Sequence, residues 1–334
     1  MGRAFFPLDG RLKLTAYKQT TRRLERLSCE VGVRLPYAQA ATVLQETLNI
    51  TMSGKQVARI TEAHGQRAVR WRDAELAAAW DAPEAVGWQP PGPHVLYIEA
   101  DGAWVNSREQ LEMEGKVGLV HQGPKRVGRN RMQLQAATYV VSFAGSARLG
   151  EELYLEADRQ GLERADTVVV LGDGAAWVRA LHQEHFYDAL YVLDWFHLGR
   201  AVHAALQPAT VELGADYVAA VRMTLRDLLW FGEVALALNR LDRLRGQLAH
   251  ADARDAITDL MRYLRTNQDG IRYAELDARG IHVGSGPVEK AGDLIINRRC
   301  ELRGMTWYRD SANAICNLRA LRFNDPQRWA DFWN

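Results

Sequence analysis

Apolar residues along the chain follow two rhythms. Short, nearly unbroken apolar runs at His94–Ala100, Lys116–His121, Ala137–Ala144, Thr167–Leu171 and Ala189–Leu193 have the length and β-branched content of strands, and Thr167–Leu171 reads as a buried one. Between and after them, residues 146–162 and Ala175–His185 carry helical spacing, and a further helix is entered from about Phe196. Strands, helix, strand, helix, strand predicts a mixed sheet with covering helices, an α/β layer fold.

The flanks are helical. Residues 15–80 are broken by Gly32 and Pro36, pause near Asn49, and resume after Ser53, a plausible N-cap with Val57, Ile60 and Thr61 on one face. Two short helices joined by NITMS resemble a DNA-reading helix-turn-helix, but small packing units look alike in sequence and the plain scaffold is the favoured reading. Pro90, Pro91 and Pro93 cannot continue a helix and mark a boundary near residue 90. Residues 198–280 are helical throughout. A last polar helix begins at Gly286–Pro287, with Pro suited to a first turn, and runs through Val288, Leu294 and Ile295 toward Arg299.

Composition narrows the function classes. The 334 residues are 47% hydrophobic, ample for a large core. Cys29, Cys300 and Cys316 have no close sequence pair, which argues against a disulfide scaffold and a thiolate zinc site. His121, His182, His185 and His197 lack two compact pairs and do not read as zinc ligands. The first residues lack a long apolar stretch and no run approaches 18 apolar residues, so the expectation is a cytoplasmic protein. Net charge is only +1, with 42 basic and 41 acidic residues, but local balance differs. Residues 115–135 carry Lys116, Lys125, Arg126, Arg129 and Arg131 and no carboxylate, either a solvated loop or a phosphate-neutralising segment whose binding would weaken with salt.

Three acids stand in distinctive settings. Asp101 follows the run VLYIEA, Asp173 follows TVVVLG, and Glu289 lies in the first turn of the helix opened by VGSGPVEK. Each Asp-Gly is also a common turn. Taken together, two carboxylates at the ends of neighbouring strands and a third on a helix suit divalent cations, which accept hard oxygen ligands and relieve the repulsion between like charges. Glu99 shares the face of Asp101 if the strand extends that far, and reads as a reserve ligand or a structural group. Asp194 and His197 in LDWFHLGR, at i and i+3, can share a helical face beside the site, orienting water, steadying a phosphate or holding the turn. In the tail, Arg298, Arg299, Arg303, Arg309, Arg319, Arg322 and Arg328 alternate with Trp307, Tyr308, Trp329 and Trp333. Arginines among aromatics can clamp phosphates and stack on bases, with Arg298, Arg299 and Arg303 the candidates for DNA; Trp329 and Trp333 read as docking the tail onto the core.

The stretches YIEADGAWV, VVVLGDGAAWV, YVLDWFHLGRAV, VGSGPVEK and RRCELRGMTWYRDSANAICNLRAL together resemble bacterial insertion-sequence transposases of the DDE class, of the ISKra-type group related to Mutator-like transposases. The resemblance covers about residues 7–333. It implies an RNase H-like catalytic core with an all-helical insertion before the last acid, so that the chain divides into an N-terminal helical module (1–90), the first part of the catalytic domain (91–198), the insertion (199–283) and the last catalytic helix with its tail (284–334). Asp101, Asp173 and Glu289 would bind two Mg²⁺ (or Mn²⁺) ions, with Asp194 and His197 as auxiliaries. Lys125, Arg126, Arg129, Arg131, Arg298, Arg299 and Arg303 are the DNA-contact candidates. The implied partners are double-stranded DNA, at element ends and target, and further copies of the chain assembled on it at the nucleoid. An RNase H-like nuclease that cuts without joining, and a repurposed DNA binder, are the rival readings. Relatives often carry a cysteine-rich N-terminal segment that this chain lacks, so the expectation includes a shorter member or a remnant.

Overall fold

In the computed structural model, which describes residues 20–81, 91–129 and 131–334, one long strand organises the fold. This strand, β1 (Val95–Asn106), is followed by β2 (Glu112–His121), β3 (Pro124–Gly128), β4 (Arg131–Leu134), β5 (Thr138–Ser142), β6 (Thr167–Gly172) and β7 (Leu190–Leu193). β2 pairs antiparallel with β1 from Tyr97 opposite His121 to Asn106 opposite Glu112, and β5 pairs antiparallel with β2. On the other side β6 and then β7 join in parallel. The main sheet therefore runs β5-β2-β1-β6-β7, a five-stranded mixed sheet, while β3 and β4 form a separate ribbon.

Helices α1 (Arg22–Gly32), α2 (Tyr37–Leu48) and α3 (Gly54–Trp80) precede the sheet, and α4 (Ser146–Arg159) and α5 (Ala176–His185) connect its strands. After β7 come α6 (Trp195–Leu206), α7 (Thr210–Leu213), α8 (Ala215–Trp230), α9 (Val234–Arg245), α10 (Ala251–Thr266) and α11 (Tyr273–Ala278). The chain then returns to the sheet through α12 (Gly286–Gly292), a π-helical turn (Asp293–Asn297), α13 (Arg298–Cys300), α14 (Arg309–Phe323) and α15 (Pro326–Trp333).

Strand alternation sorts the sheet's side chains between two faces. Leu96, Ile98 and Ala100 of β1 pack with Leu149 and Leu153 of α4 and Val178 and Leu181 of α5. Ala103 and Val105, with Val117 and Leu119 of β2, pack on the opposite face with Val288, Ile295 and Ile315. The helices after β7 share a third core with Val169, Leu171 and Val192. The N-terminal helices enter the second core through Cys29, Ile60 and Ala68. Gly65 lets α3 lie close along α14, since a Cβ there would stand 2.5 Å from the Ala314 carbonyl oxygen. Trp329 and Trp333 are buried, as expected of a docked tail. Cys300 and Cys316 are free thiols packed 3.6 Å apart.

The structure departs from the sequence reading in three places. β1 does not end at Ala100 but runs on to Asn106, because β2 continues to pair with it; Asp101 sits inside the strand, opposite Val117. The basic segment after His121 is a two-stranded antiparallel ribbon rather than a loop. Its strand β3 is exposed at every position, so no apolar alternation marks it. The helix after Ser53 is 27 residues long, not short, and starts with a capping box in which Ser53 and Gln56 bond reciprocally. Among the described residues, no helix is long and apolar enough to cross a membrane.

Helices α3, α4 and α15 meet at an ion cluster centred on the buried Glu156, which accepts from Arg72, from Arg159 at 2.8 Å and from Arg328 at 3.0 Å. Burial pushes this carboxyl up, but the guanidiniums, led by Arg72, more than offset it and hold it at about 2, below its ordinary 4.5. A depressed folded-state value means stability present above pH 4.5 and lost as pH falls toward 2. Glu156→Gln is expected to lower unfolding free energy at pH 7 by about 3 kcal/mol. In urea titrations across pH, the deficit should shrink as the solution is acidified through that window.

Candidate functional site

The parallel pairing of β1 with β6 sets Glu99 opposite Leu171; the same register carried two residues further brings Asp101 level with Asp173, which follows β6 directly. Neighbouring strands lie about 4.8 Å apart, so the two side chains arise from adjacent points of the sheet. Asp101 Oδ1 accepts from the Gly102 N–H at 2.8 Å, and Asp173 Oδ1 accepts from the Ala175 N–H at 2.9 Å. Among the described residues, no protein donor meets the second oxygen of either carboxylate. The Asp173 backbone is held as well: the Tyr263 hydroxyl, from α10, donates to its carbonyl at 2.7 Å. Gly174, at φ +88°, allows that approach, since a Cβ there would lie 2.8 Å from the Tyr263 ring.

Glu289 lies in the first turn of α12, with Val288 and Ala291 buried against the sheet and its own carboxylate about half exposed. Its Oε1 lies 4.0 Å from His197 Nδ1 and 3.6 Å from Arg200 Nη2. The electrostatics join the three acids. Burial raises the Asp101 carboxyl above its ordinary value; the Gly102 N–H and His197 oppose this, while the charges of Asp173 and Glu289 add to it.

Asp194 and His197 share the first turn of α6, Asp194 as its N-cap. Asp194 Oδ1 accepts from the backbone N–H of His197 and from His197 Nδ1 at 3.0 Å, and Oδ2 accepts from the Ser285 N–H. Burial pushes the Asp194 carboxyl up, but these hydrogen bonds prevail and hold it at about 2. The bond to Asp194 raises His197, with Asp173 adding to the rise. Arg200 donates to the other ring nitrogen of His197, so the network assigns Nδ1–H to the bond with Asp194. Asp194 is thus a brace between α6 and the start of α12, with His197 and Arg200 beside Glu289.

Glu99, which the sequence offered as a reserve ligand or a structural group, forms a buried pair with His121. Glu99 Oε1 lies 2.9 Å from His121 Nε2, and Oε2 accepts from the Val288 N–H at 3.0 Å. Both side chains are 0% exposed. Glu99 is therefore structural, not a reserve ligand. Its odd position on the strand with Asp101 was the available signal; its partner follows only from the register of β2.

The chemistry of the donors fits a hard cation. Among the described residues Asp101 and Asp173 each keep an oxygen free of protein donors; burial does most to raise Asp101, and the charges of Asp173 and Glu289 add a repulsion that a cation would relieve. Among the described residues, no three His, Cys, Asp or Glu side chains are gathered closely enough to hold a metal ion by themselves. Mg²⁺ does not require that, since it is commonly held by one or two carboxylates together with water and substrate phosphate.

The basic candidates fare differently. Lys125, Arg126, Arg129 and Arg131 lie exposed on the β3–β4 ribbon and its turn, and form no ion pair among the described residues. Lys116 does not belong with them: it pairs with Glu114 at 2.8 Å and lies over the Trp177 ring. Arg303 is exposed, and Arg298 is exposed but paired with Asp293 at 2.7 Å. Arg299 must be removed from the DNA-contact set. It is 0% exposed, donates to the Gly32 carbonyl at 3.0 Å, and lies between the Tyr37 and Trp307 rings.

Residues 92–334 match a family described as "Uncharacterised protein family (UPF0236)". That span includes all three acids and most of the chain. The chain belongs to the UPF0236 family. It is also 25% identical, over 332 residues, to a Streptococcus gallolyticus protein named "UPF0236 protein in vanSb 3'region", covering 96% of this chain and 68% of that relative.

Because the folded state raises Asp101, its charged form is disfavoured there, and this destabilisation applies at pH above the folded value. Asp101→Asn is expected to raise the Tm at pH 7.5 without divalent ions. Adding Mg²⁺ should raise the Tm of the wild type and leave that of the variant unchanged in differential scanning fluorimetry.

Proposed function

We propose that this UPF0236 protein is a DDE-class DNA transposase that cuts element ends and joins them to target DNA with Mg²⁺ or Mn²⁺. One observation carries the reading: Asp101 lies on β1 and Asp173 directly after the neighbouring β6, and Glu289 returns on α12 after the helical segment 195–278 to stand 4.0 Å from His197 beside them. The sheet adds support for an RNase H-like core. Its five strands in chain order are arranged third, second, first, fourth, fifth, with only the second running against the rest.

On this reading Asp101, Asp173 and Glu289 hold the ions. Two bound divalent cations would supply activation of the attacking oxygen and charge to stabilise the leaving one. Asp194 fixes the approach of α12, and His197 and Arg200 stand beside Glu289, where a strand's phosphate would pass. A groove of about 720 Å³ that includes Arg200 in its wall continues along α6 and α8 past Phe196, Arg222, Met223 and Arg226. Its mix of guanidinium and aromatic surface suits a polyanion bearing bases. The β3–β4 ribbon supplies four further cations for a duplex backbone. The partner is double-stranded DNA bound by a homo-oligomer at the nucleoid.

Incubating the protein with labelled duplex carrying the flanking element ends tests the reaction. Wild type with Mg²⁺ or Mn²⁺ is expected to give cut and joined products, and Asp173→Ala only uncut substrate. Cutting without joining would favour an RNase H-like nuclease, and binding without cutting a repurposed binder. For the ribbon, replacing Lys125, Arg126, Arg129 and Arg131 together by alanine should weaken duplex binding. It should also reduce the slope of log K against log salt by about 3 to 4, measured by fluorescence anisotropy.

A further inference from the structure

We propose that Glu99 and His121 form a buried anchor that positions Glu289 through the first turn of α12. The inference rests on the metal-site reading of the three acids. α12 begins with few means of satisfying its own backbone. Ser285, its N-cap, makes no side-chain cap bond, and Pro287 has no N–H. The Val288 N–H is instead met from the sheet by Glu99 Oε2 at 3.0 Å.

The rest of the arrangement holds Glu99 in that pose. The Gly123 N–H donates to His121 Nδ1 at 3.0 Å, so Nδ1 is an acceptor and Nε2 carries the proton directed at Glu99 Oε1. The Tyr97 ring stacks on His121 at 4.9 Å, and its hydroxyl accepts from the His282 N–H at 2.9 Å, just before the Ser285 turn. Glu99 therefore faces two donors, and only a carboxylate offers an acceptor to each. With both oxygens engaged and no exposure, Glu99 cannot also be a metal ligand. It acts on the site through Val288, the residue before Glu289, and is a positioning residue.

The isosteric Glu99→Gln separates this role from packing. An amide can accept from only one of the two donors and sets an N–H against the other. Hydrogen–deuterium exchange on the full chain should show amides of residues 286–291 exchanging about ten-fold faster, with β6 and α5 unchanged. Mn²⁺ affinity, read by calorimetry without DNA, should fall about ten-fold or more. His121→Phe, which keeps a ring against Tyr97 and leaves the Glu99–Val288 bond, is the second variant, expected to change both readouts in the same direction by less. Unchanged exchange at 286–291 in both variants, or an equal loss of protection across β6 and α5, would overturn the anchor. Wild-type and Glu99→Gln proteins that bind Mn²⁺ equally well would overturn the positioning role alone. A wild type that does not bind Mn²⁺ would overturn the metal reading on which that role rests.

Discussion

Everything at the candidate site depends on how the start of α12 is held. A helix N-terminus exposes N–H groups that need acceptors, and here two are met by carboxylates from elsewhere in the chain. Asp194, at the junction of β7 and α6, takes the Ser285 N–H, and Glu99, on β1, takes the Val288 N–H. The helix bearing Glu289 is thus tied to β1 and to the junction of β7 and α6. These bonds help to bring Glu289, 188 positions beyond Asp101, close enough for its charge to act on that carboxyl.

The far end of the same segment is held by arginines. The π-helical turn Asp293–Asn297 disturbs the regular bonding of helical carbonyls. Arg319, buried in α14, donates to the Ile295 carbonyl at 3.0 Å and to those of Leu294 and Val33. Burial lowers its pKa to about 10. Arg299 takes the neighbouring Gly32 carbonyl at the end of α1. The N-terminal helices, the turn and the third acid are therefore one connected unit, held by charge-assisted bonds to backbone carbonyls.

The sheet was readable because its strands are apolar on both faces and bounded by clear turn residues. The position of Asp101 within β1 was not. Asp-Gly reads as a turn, and only the long antiparallel partner β2 keeps the strand going. The β3–β4 ribbon was hidden for the opposite reason: with its residues exposed, it leaves no hydrophobic signature. Glu99 and His121 are 22 residues apart and meet only through the β1–β2 register. Arg299 illustrates the limit of composition. Its place among arginines and aromatics suggested phosphate, yet it is enclosed by Trp307 of the same tail together with Gly32 and Tyr37 from the distant N-terminal helices.

The central claim is that Asp101, Asp173 and Glu289 form one divalent-cation site. Anomalous diffraction at the manganese edge, from crystals grown with Mn²⁺, tests it most directly. A peak is expected between the Asp101 and Asp173 carboxylates on the side facing Glu289. Peaks found only elsewhere on the protein, or the same peak persisting in crystals of Asp101→Asn, would contradict it.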